Sequence, residues 1–282
     1  MNAAPDRYAV IGHPVAHSRS PAIHAQFAAQ CGQRLSYERI EAPLDGFERT
    51  VREFFAAGGR GCNVTVPFKA QAATLAVVRS ARVQLAGAAN TLWMHDGVLH
   101  ADNTDGVGLV RDLTLNLRQV LTRSPVLLLG AGGAVAGVCG ELLRAGVSRL
   151  RIANRSLARA QAVVQAHAAL AAQCGAQIDA SVLDAPAERA DIVINATSAG
   201  LDGAVVLPPA TALHAGTFCY DLVYAAHGET PFVAWARSQG LRAADGLGML
   251  VEQAAESFSL WRGVRPDTAP VRAAMRAGAG LA

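Results

Sequence analysis

Between Val126 and Val135 the chain reads VLLLGAGGAV: a strand-length apolar run, a glycine turn, and the opening of an alanine-rich helix. Few folds accept that succession. Gly130 permits a tight turn out of the strand, and Gly132 lets backbone approach a bulky anion. The helix that follows offers free N–H groups and the positive end of its dipole to that anion. Such a segment reads as the first βα turn of a doubly wound sheet, where the anion is a dinucleotide pyrophosphate. The third small position carries Val135 rather than Gly or Ala, so helix and strand are expected to stand slightly apart there. Glycine turns after strands also occur for purely structural reasons, so the next strand has to decide.

That strand, LRIANR (150–155), is followed by SLARA. A site for NAD would end it with Asp or Glu to bond the ribose 2′-OH. Here the end carries Asn154, then Arg155 and, four residues on, Arg159. With Ser156 capping a helix, Arg159 falls in its first turn and both guanidinium groups can reach a 2′-phosphate. Each charge-assisted bond is typically worth about 1.5–3 kcal/mol, so the pattern favours NADP over NAD. The alternative is a pair of solvated surface arginines.

Strand and helix signals alternate on both sides of this segment. Before it, RYAVIG (7–12), SYERI (36–40) and GCNVTV (61–66) read as strands. SPAIHAQFAAQCG (20–32) reads as a helix with Ser20 as N-cap and Pro21 at its first position. FERTVREFFAAGG (47–59) has apolar residues at helical spacing and ends on a glycine pair. A hairpin is expected around Asp96-Gly97. After the glycine turn, strand-like runs recur at 150–155, 191–197 and 217–224, and residues 248–263 read as one long amphipathic helix. Strands separated by helices predict largely parallel sheets. The chain is therefore expected to be α/β with two domains, and a boundary near 102–113.

Polar residues cluster where core is expected. Ser18 and Ser20 follow the first strand, and Asn63, Thr65 and Lys69 lie at or beyond the end of another. Asn90 and Asp105 stand in AANT and DNTDG. Lys69 is the only lysine among 25 basic residues. In open parallel sheets, ligands sit beyond the carboxyl ends of strands, and this set of hydroxyls, amides, a lysine and a carboxylate suits a small polyhydroxylated acid. Taken singly, each also has a reading as turn chemistry: Ser20 as a cap, Asn103 and Asp105 as Asx-turn residues.

In order along essentially the whole chain, GHPVAHSRSP, GCNVTVPFK, GAANT, DNTDGVG, GAGGA, NRSLARA, NATSAG and DGLGMLVEQAA resemble the shikimate dehydrogenase family, with NVTVPFK and DNTDG the most specific. The resemblance implies NADPH-dependent, reversible reduction of 3-dehydroshikimate to shikimate on the route to aromatic amino acids. It implies an N-terminal, mainly parallel α/β substrate domain over 1–105, completed by C-terminal helices at about 247–282. A Rossmann-like NADP domain over 106–246 is inserted, with the active-site cleft between the two.

Carried over by residue, the family pattern makes Lys69 the acid/base group and Asp105 its partner. Ser18 and Ser20, with Tyr224 near them, would hold the substrate carboxylate. Thr65, Asn90, Asp105 and Gln253 would hold ring hydroxyls. Gly130, Ala131, Gly132, Gly133 and Ala134 would cradle the pyrophosphate, and Asn154, Arg155, Ser156 and Arg159 the adenosine phosphate. Thr197, Val223 and Gly246 complete the cofactor set, Gly246 beside the nicotinamide. Chemically, reduction of a ring ketone needs a proton delivered to the nascent alkoxide, which a lysine ammonium can give.

Two stretches depart from the pattern. Residues 70–89 contain no acidic residue where relatives carry carboxylates. Val135-Ala136 replaces a small residue and an arginine. A quinate/shikimate paralogue with shifted substrate or NAD use is thus the nearest rival, and a non-catalytic NADP-binding regulator the rival from another class.

Composition excludes other roles. A net charge of +3 and the lack of a basic tract interleaved with aromatics argue against nucleic acid and against anionic membranes. The five cysteines (Cys31, Cys62, Cys139, Cys174, Cys219) are isolated, as in a reduced compartment. No apolar run reaches 18 residues and the N-terminus lacks the pattern of a secretory leader. A cytoplasmic monomer or homodimer is expected. No metal is expected either: His13, His17 and His24 could suggest one, but Pro14 breaks the helix that an i, i+4 pair would need.

Overall fold

The computed structural model describes residues 4–197, 205–225 and 228–278. The chain divides into two compact units, one built from residues up to Gly108 together with those from Leu250 on, the other from Leu109–Met249.

The first unit opens with β1 (Asp6–Gly12), α1 (Ser20–Gln30), β2 (Leu35–Glu41), α2 (Phe47–Ala56) and β3 (Gly59–Val64). There follow α3 (Lys69–Leu75), β4 (Val78–Arg79), α4 (Ala81–Ala86), β5 (Thr91–His95), β6 (Val98–Asp102) and α5 (Asp105–Arg111). The sheet order is β2-β1-β3-β5-β6-β4. β1 pairs in parallel with β2 and β3, whereas β5 runs antiparallel to both β3 and β6. The hairpin turns at Asp96 and Gly97, both at positive φ, the primed turn that matches strand twist.

α1 starts differently from expectation. Arg19, not Ser20, is the N-cap: its φ of −86° and ψ of −4° are already helical and its carbonyl accepts from Ile23 N–H at 3.2 Å. The Ser20 hydroxyl is thereby left to accept from the Ser18 hydroxyl at 3.2 Å.

The second unit holds β7 (Pro125–Leu129), α6 (Gly133–Arg144), β8 (Arg149–Ala153), α7 (Leu157–Gln173) and β9 (Gln177–Ser181). It continues with β10 (Ile192–Asn195), β11 (Phe218–Asp221), α8 (Pro231–Ser238) and β12 (Arg242–Ala244). Six parallel strands run in the order β12-β11-β10-β7-β8-β9. This is the doubly wound arrangement, and strand order reverses between β7 and β10. Val135 is wholly buried in the core that α6 makes with this sheet, so the larger side chain is absorbed as packing. β4, β9 and β12 were not legible as strands: β4 has two residues, and β9 and β12 are sheet edges with no fully buried position.

The chain returns to the first unit through α9 (Leu247–Arg262) and α10 (Thr268–Arg276). α9 packs on the first sheet and on α1: Trp261 stacks on Tyr8 with centroids 4.8 Å apart, and Phe258 meets Phe27 edge-on at 5.8 Å. Phe27 and Phe258 are wholly buried, each worth about 1.5–3 kcal/mol of transfer free energy.

Candidate active site

β3 ends at Val64, and Thr65 to Phe68 form a turn closed by Phe68 N–H donating to Thr65 O at 3.1 Å. Phe68 is wholly buried against Phe47, which anchors the turn and starts α3 at Lys69. The Lys69 ammonium thus emerges at a fixed place and donates to Asp105 Oδ2 at 2.5 Å. The Lys69 side chain is 20% exposed and that of Asp105 7%. Asp105 is held from its own side: its N–H donates to Asn103 Oδ1 at 3.1 Å, and Asn103 Nδ2 in turn donates to Ala88 O at 2.9 Å.

Asn90 ties this pair to a buried polar cluster. Its Nδ2 reaches Asp105 Oδ1 at 2.8 Å, Thr104 Oγ1 at 2.9 Å and Gln253 Oε1 at 3.2 Å, while its Oδ1 accepts from Thr104 N–H at 2.8 Å. Gln253 comes from α9 and donates to Leu250 O. One helical turn on, Ser257 accepts from Asn63 Nδ2 at 2.9 Å and meets Thr91 and Thr104. Asn63 accepts from the Tyr37 hydroxyl at 2.8 Å. Lys69, Asp105, Asn90 and Gln253 are therefore brought together in one network. Ser18 and Ser20 share the hydrogen bond already described, and Arg39 donates to Ser18 O at 2.9 Å. Thr65 is partly buried and its N–H is fixed on Ile11 O.

Burial governs the ionisable neighbours. Desolvation pushes the Tyr37 phenol well above its ordinary value, so it remains a donor. Desolvation also lowers His24, stacked on Tyr37 at 4.3 Å, to about 3.

Tyr37, Thr91, Thr104 and Ser257 were not singled out from sequence. Ser257 had a signal: it lies four residues after Gln253 on one helix face, where an apolar residue would be expected. Tyr37 had none, because an aromatic residue in a strand normally reads as core.

In the second unit, Gly130 has φ of +113°, and a Cβ there would lie 3.2 Å from Ala196 O. The turn after β7 thus touches the segment after β10, at the reversal of strand order. Gly132 caps α6 without any side chain on the helix end, and a Cβ on Gly132 or Gly133 would meet nothing within 4 Å. Open space in front of an uncapped helix N-terminus fits a pyrophosphate. Ala131 and Ala134 are partly buried beside it.

Ser156 stands at the N-cap of α7, without a side-chain cap bond, and accepts through its carbonyl from Asn154 Nδ2 at 2.9 Å. Arg155 and Arg159 are exposed on this rim, as binding a 2′-phosphate requires. Thr197 donates through N–H and Oγ1 to Asn195 Oδ1. Val223 N–H donates to Asp221 Oδ1, Val223 O accepts from Gly246 N–H at 3.1 Å, and Tyr224 follows, partly buried. The NATSAG motif is described only as far as Thr197. No metal-binding group of side chains occurs among the described residues.

Comparison with known proteins places this geometry. Residues 10–92 match the model of the shikimate dehydrogenase substrate binding domain. Residues 112–202 match shikimate/quinate 5-dehydrogenase, and 246–276 the shikimate 5′-dehydrogenase C-terminal domain. A shikimate dehydrogenase (NADP(+)) of Acidovorax sp. (strain JS42) is 56% identical over 283 residues, covering 99% of this chain and 100% of its own. An Ael1 enzyme from Pseudomonas putida superposes with a TM-score of 0.87 at 48% identity, covering 96% of this chain and 98% of its own. A shikimate 5-dehydrogenase from Thermus thermophilus, solved with NADP(H) and shikimate, does so with a TM-score of 0.84 at 35% identity, over 96% and 99%. This chain belongs to the shikimate dehydrogenase family.

Proposed function

We propose that the protein catalyses the reversible, NADPH-dependent reduction of 3-dehydroshikimate to shikimate, a step of aromatic amino-acid biosynthesis. The observation that carries this reading is the Lys69–Asp105 pair at 2.5 Å, joined through Asn90 to Gln253. It lies in a chain that is 56% identical to an NADP-dependent shikimate dehydrogenase. NADPH, when bound, supplies the hydride.

The protein's own residues do the rest. Lys69 Nζ donates a proton to the oxygen of the ketone as it becomes an alkoxide, and takes it back in the reverse direction. Asp105 orients the ammonium and accepts from a ring hydroxyl. Asn90, Thr65 and Gln253 hold the hydroxyl pattern, while Ser18, Ser20 and Tyr224 hold the carboxylate.

The residues from Gly130 to Ala134 bind the pyrophosphate. Asn154, Arg155, Ser156 and Arg159 bind the adenosine end, with Arg155 and Arg159 on its 2′-phosphate. Thr197, Val223 and Gly246 line the nicotinamide side. Residues 1–105 and 247–282 accordingly form the substrate domain and 106–246 the cofactor domain. A cytoplasmic monomer or homodimer is the form proposed. No helix among the described residues is long and apolar enough to cross a membrane.

A steady-state assay of shikimate and quinate, each with NADP and NAD, tests the reading. Turnover is expected with shikimate and NADP. Absence of turnover with all four pairs refutes it, and a preference for quinate assigns the chain to the paralogous activity. Lys69→Ala is expected to lose about 10²–10⁴ in kcat, the usual share of a general acid, with a small change in substrate KM.

A further inference from the structure

The turn into α9 reads Asp245-Gly-Leu-Gly-Met249, and its two glycines answer to different neighbours, all within the second unit. A Cβ on Gly246 would lie 2.2 Å from Leu222 O. That is a collision with the backbone leaving β11. A Cβ on Gly248 would instead lie 2.0 Å from Oδ1 and 2.3 Å from Oδ2 of Asp112. So position 248 lacks a side chain because a carboxylate from elsewhere fills the space.

Asp112 has little freedom to give way. It is 2% exposed, and accepts from the Tyr220 hydroxyl at 2.7 Å and from Asn116 Nδ2 at 2.9 Å. Tyr220 is itself wholly buried on β11. Displacing the carboxylate breaks one buried and one partly buried hydrogen bond. α9 has no acidic residue in its first turn, although Asp245 Oδ1 accepts from Leu247 N–H at 3.3 Å. An anion against the second helical residue is favourable with the dipole.

We propose that Asp112 is a positioning residue: its buried carboxylate, pinned by Tyr220 and Asn116, sets where the Gly246–Gly248 backbone lies. The inference rests on the reading that Gly246 flanks the nicotinamide, and gives that backbone a defined support on β11 and the turn after α5.

The test uses the full chain in two arms. In the first, melting temperatures are measured for Gly248→Ala, Asp112→Ala and the double variant. Gly248→Ala is expected to lower Tm by about 5 °C or more in the parent and by less than about 2 °C in Asp112→Ala, where the space is vacated. Equal losses in both backgrounds overturn the steric assignment. If Asp112→Ala does not fold, Tyr220→Phe serves as the background. Asp112 is then freer to move, and the cost of Gly248→Ala is expected to halve; an unchanged cost overturns the assignment.

In the second arm, Asp112→Asn keeps shape and removes charge. The expected result is a kcat reduced about tenfold or more, since misplacement by an ångström is costly, with the Kd for NADPH, read by fluorescence, within about twofold. A kcat within twofold of the parent, or a joint fall of kcat, NADPH affinity and Tm, overturns the positioning role. Should the parent itself show no turnover, the reaction proposed above fails while the first arm still decides the clamp.

Discussion

His24 offers a sharp test of how the first unit is held together. It is 0% exposed, lies one turn after Ser20 on α1, and neither ring nitrogen has a hydrogen-bond partner. Tyr37, Phe27, Phe258 and Trp261 surround it. No charged side chain is among these ring contacts. Burial lowers its pKa from 6.5 to about 3, and the nearby Asn63 side chain, which pulls the other way, does not prevail.

In the unfolded chain the imidazole titrates normally. Between those two values the unfolded state binds a proton that the folded state refuses, so stability falls as pH falls through this window. At about pH 4.5 the linkage amounts to roughly 2–3 kcal/mol relative to about pH 7, from 1.36 kcal/mol per pKa unit over the two units separating pH 4.5 from the unfolded value of 6.5.

Carboxylates such as Asp102 also lose stability in acid, so the comparison must be made against a variant. Urea unfolding of the parent and of His24→Phe, each at both pH values and followed by tryptophan emission, isolates the histidine, because any repacking cost of phenylalanine appears at both and cancels. The parent's midpoint is expected to fall on acidification by on the order of 1 M more than the variant's. Parallel behaviour of the two proteins, within about 0.5 kcal/mol, refutes the claim that His24 is buried and neutral.

The cofactor half yields two further predictions. Gly132→Val places a side chain where nothing lies within 4 Å, at a backbone conformation with φ of −91° that valine adopts. Its Tm is expected to stay within about 2 °C of the parent while NADPH affinity measured by fluorescence titration falls at least tenfold; retained affinity means the space is not the pyrophosphate site. Arg155→Ala is expected to raise the KM for NADPH by about one to two decades, the value of a charge-assisted bond, and to leave that for NADH unchanged. An equal effect on both means this arginine does not read the 2′-phosphate.

Much of the architecture was legible because two local patterns agree with it. Strand, glycine turn and helix at 126–135 can hardly be satisfied outside a βα unit, and the Asp96-Gly97 pair demands a primed hairpin turn. The edges were not legible. β9 and β12 lack a fully buried position, so they carry little of the apolar signal that betrays a central strand. The site was readable in its ends and not in its middle. Lys69 and Asp105 open helices directly after loops, and Asn90 stands just before β5, places where polar residues draw attention, whereas Ser257 and Tyr37 sit inside regular elements. Only the folded backbone brings Tyr37, Asn63 and Ser257 into one chain of hydrogen bonds.

Gln253, Ser257 and Trp261 reach their partners from the far end of the polypeptide, and this fixes an order of events during synthesis. The second unit is one continuous stretch and emerges from the ribosome before the part of α9 from Leu250 on. The first sheet is translated earliest, yet it waits for the last helices, with Tyr8 and Phe27 lacking their cover and Asn63 and Asn90 lacking two of their partners. The inserted unit can therefore mature while its host is still unfinished. The nascent chain is most vulnerable to aggregation in the interval before residue 250 and its successors clear the exit tunnel, and a helper that shields apolar sheet surface acts most usefully in that interval.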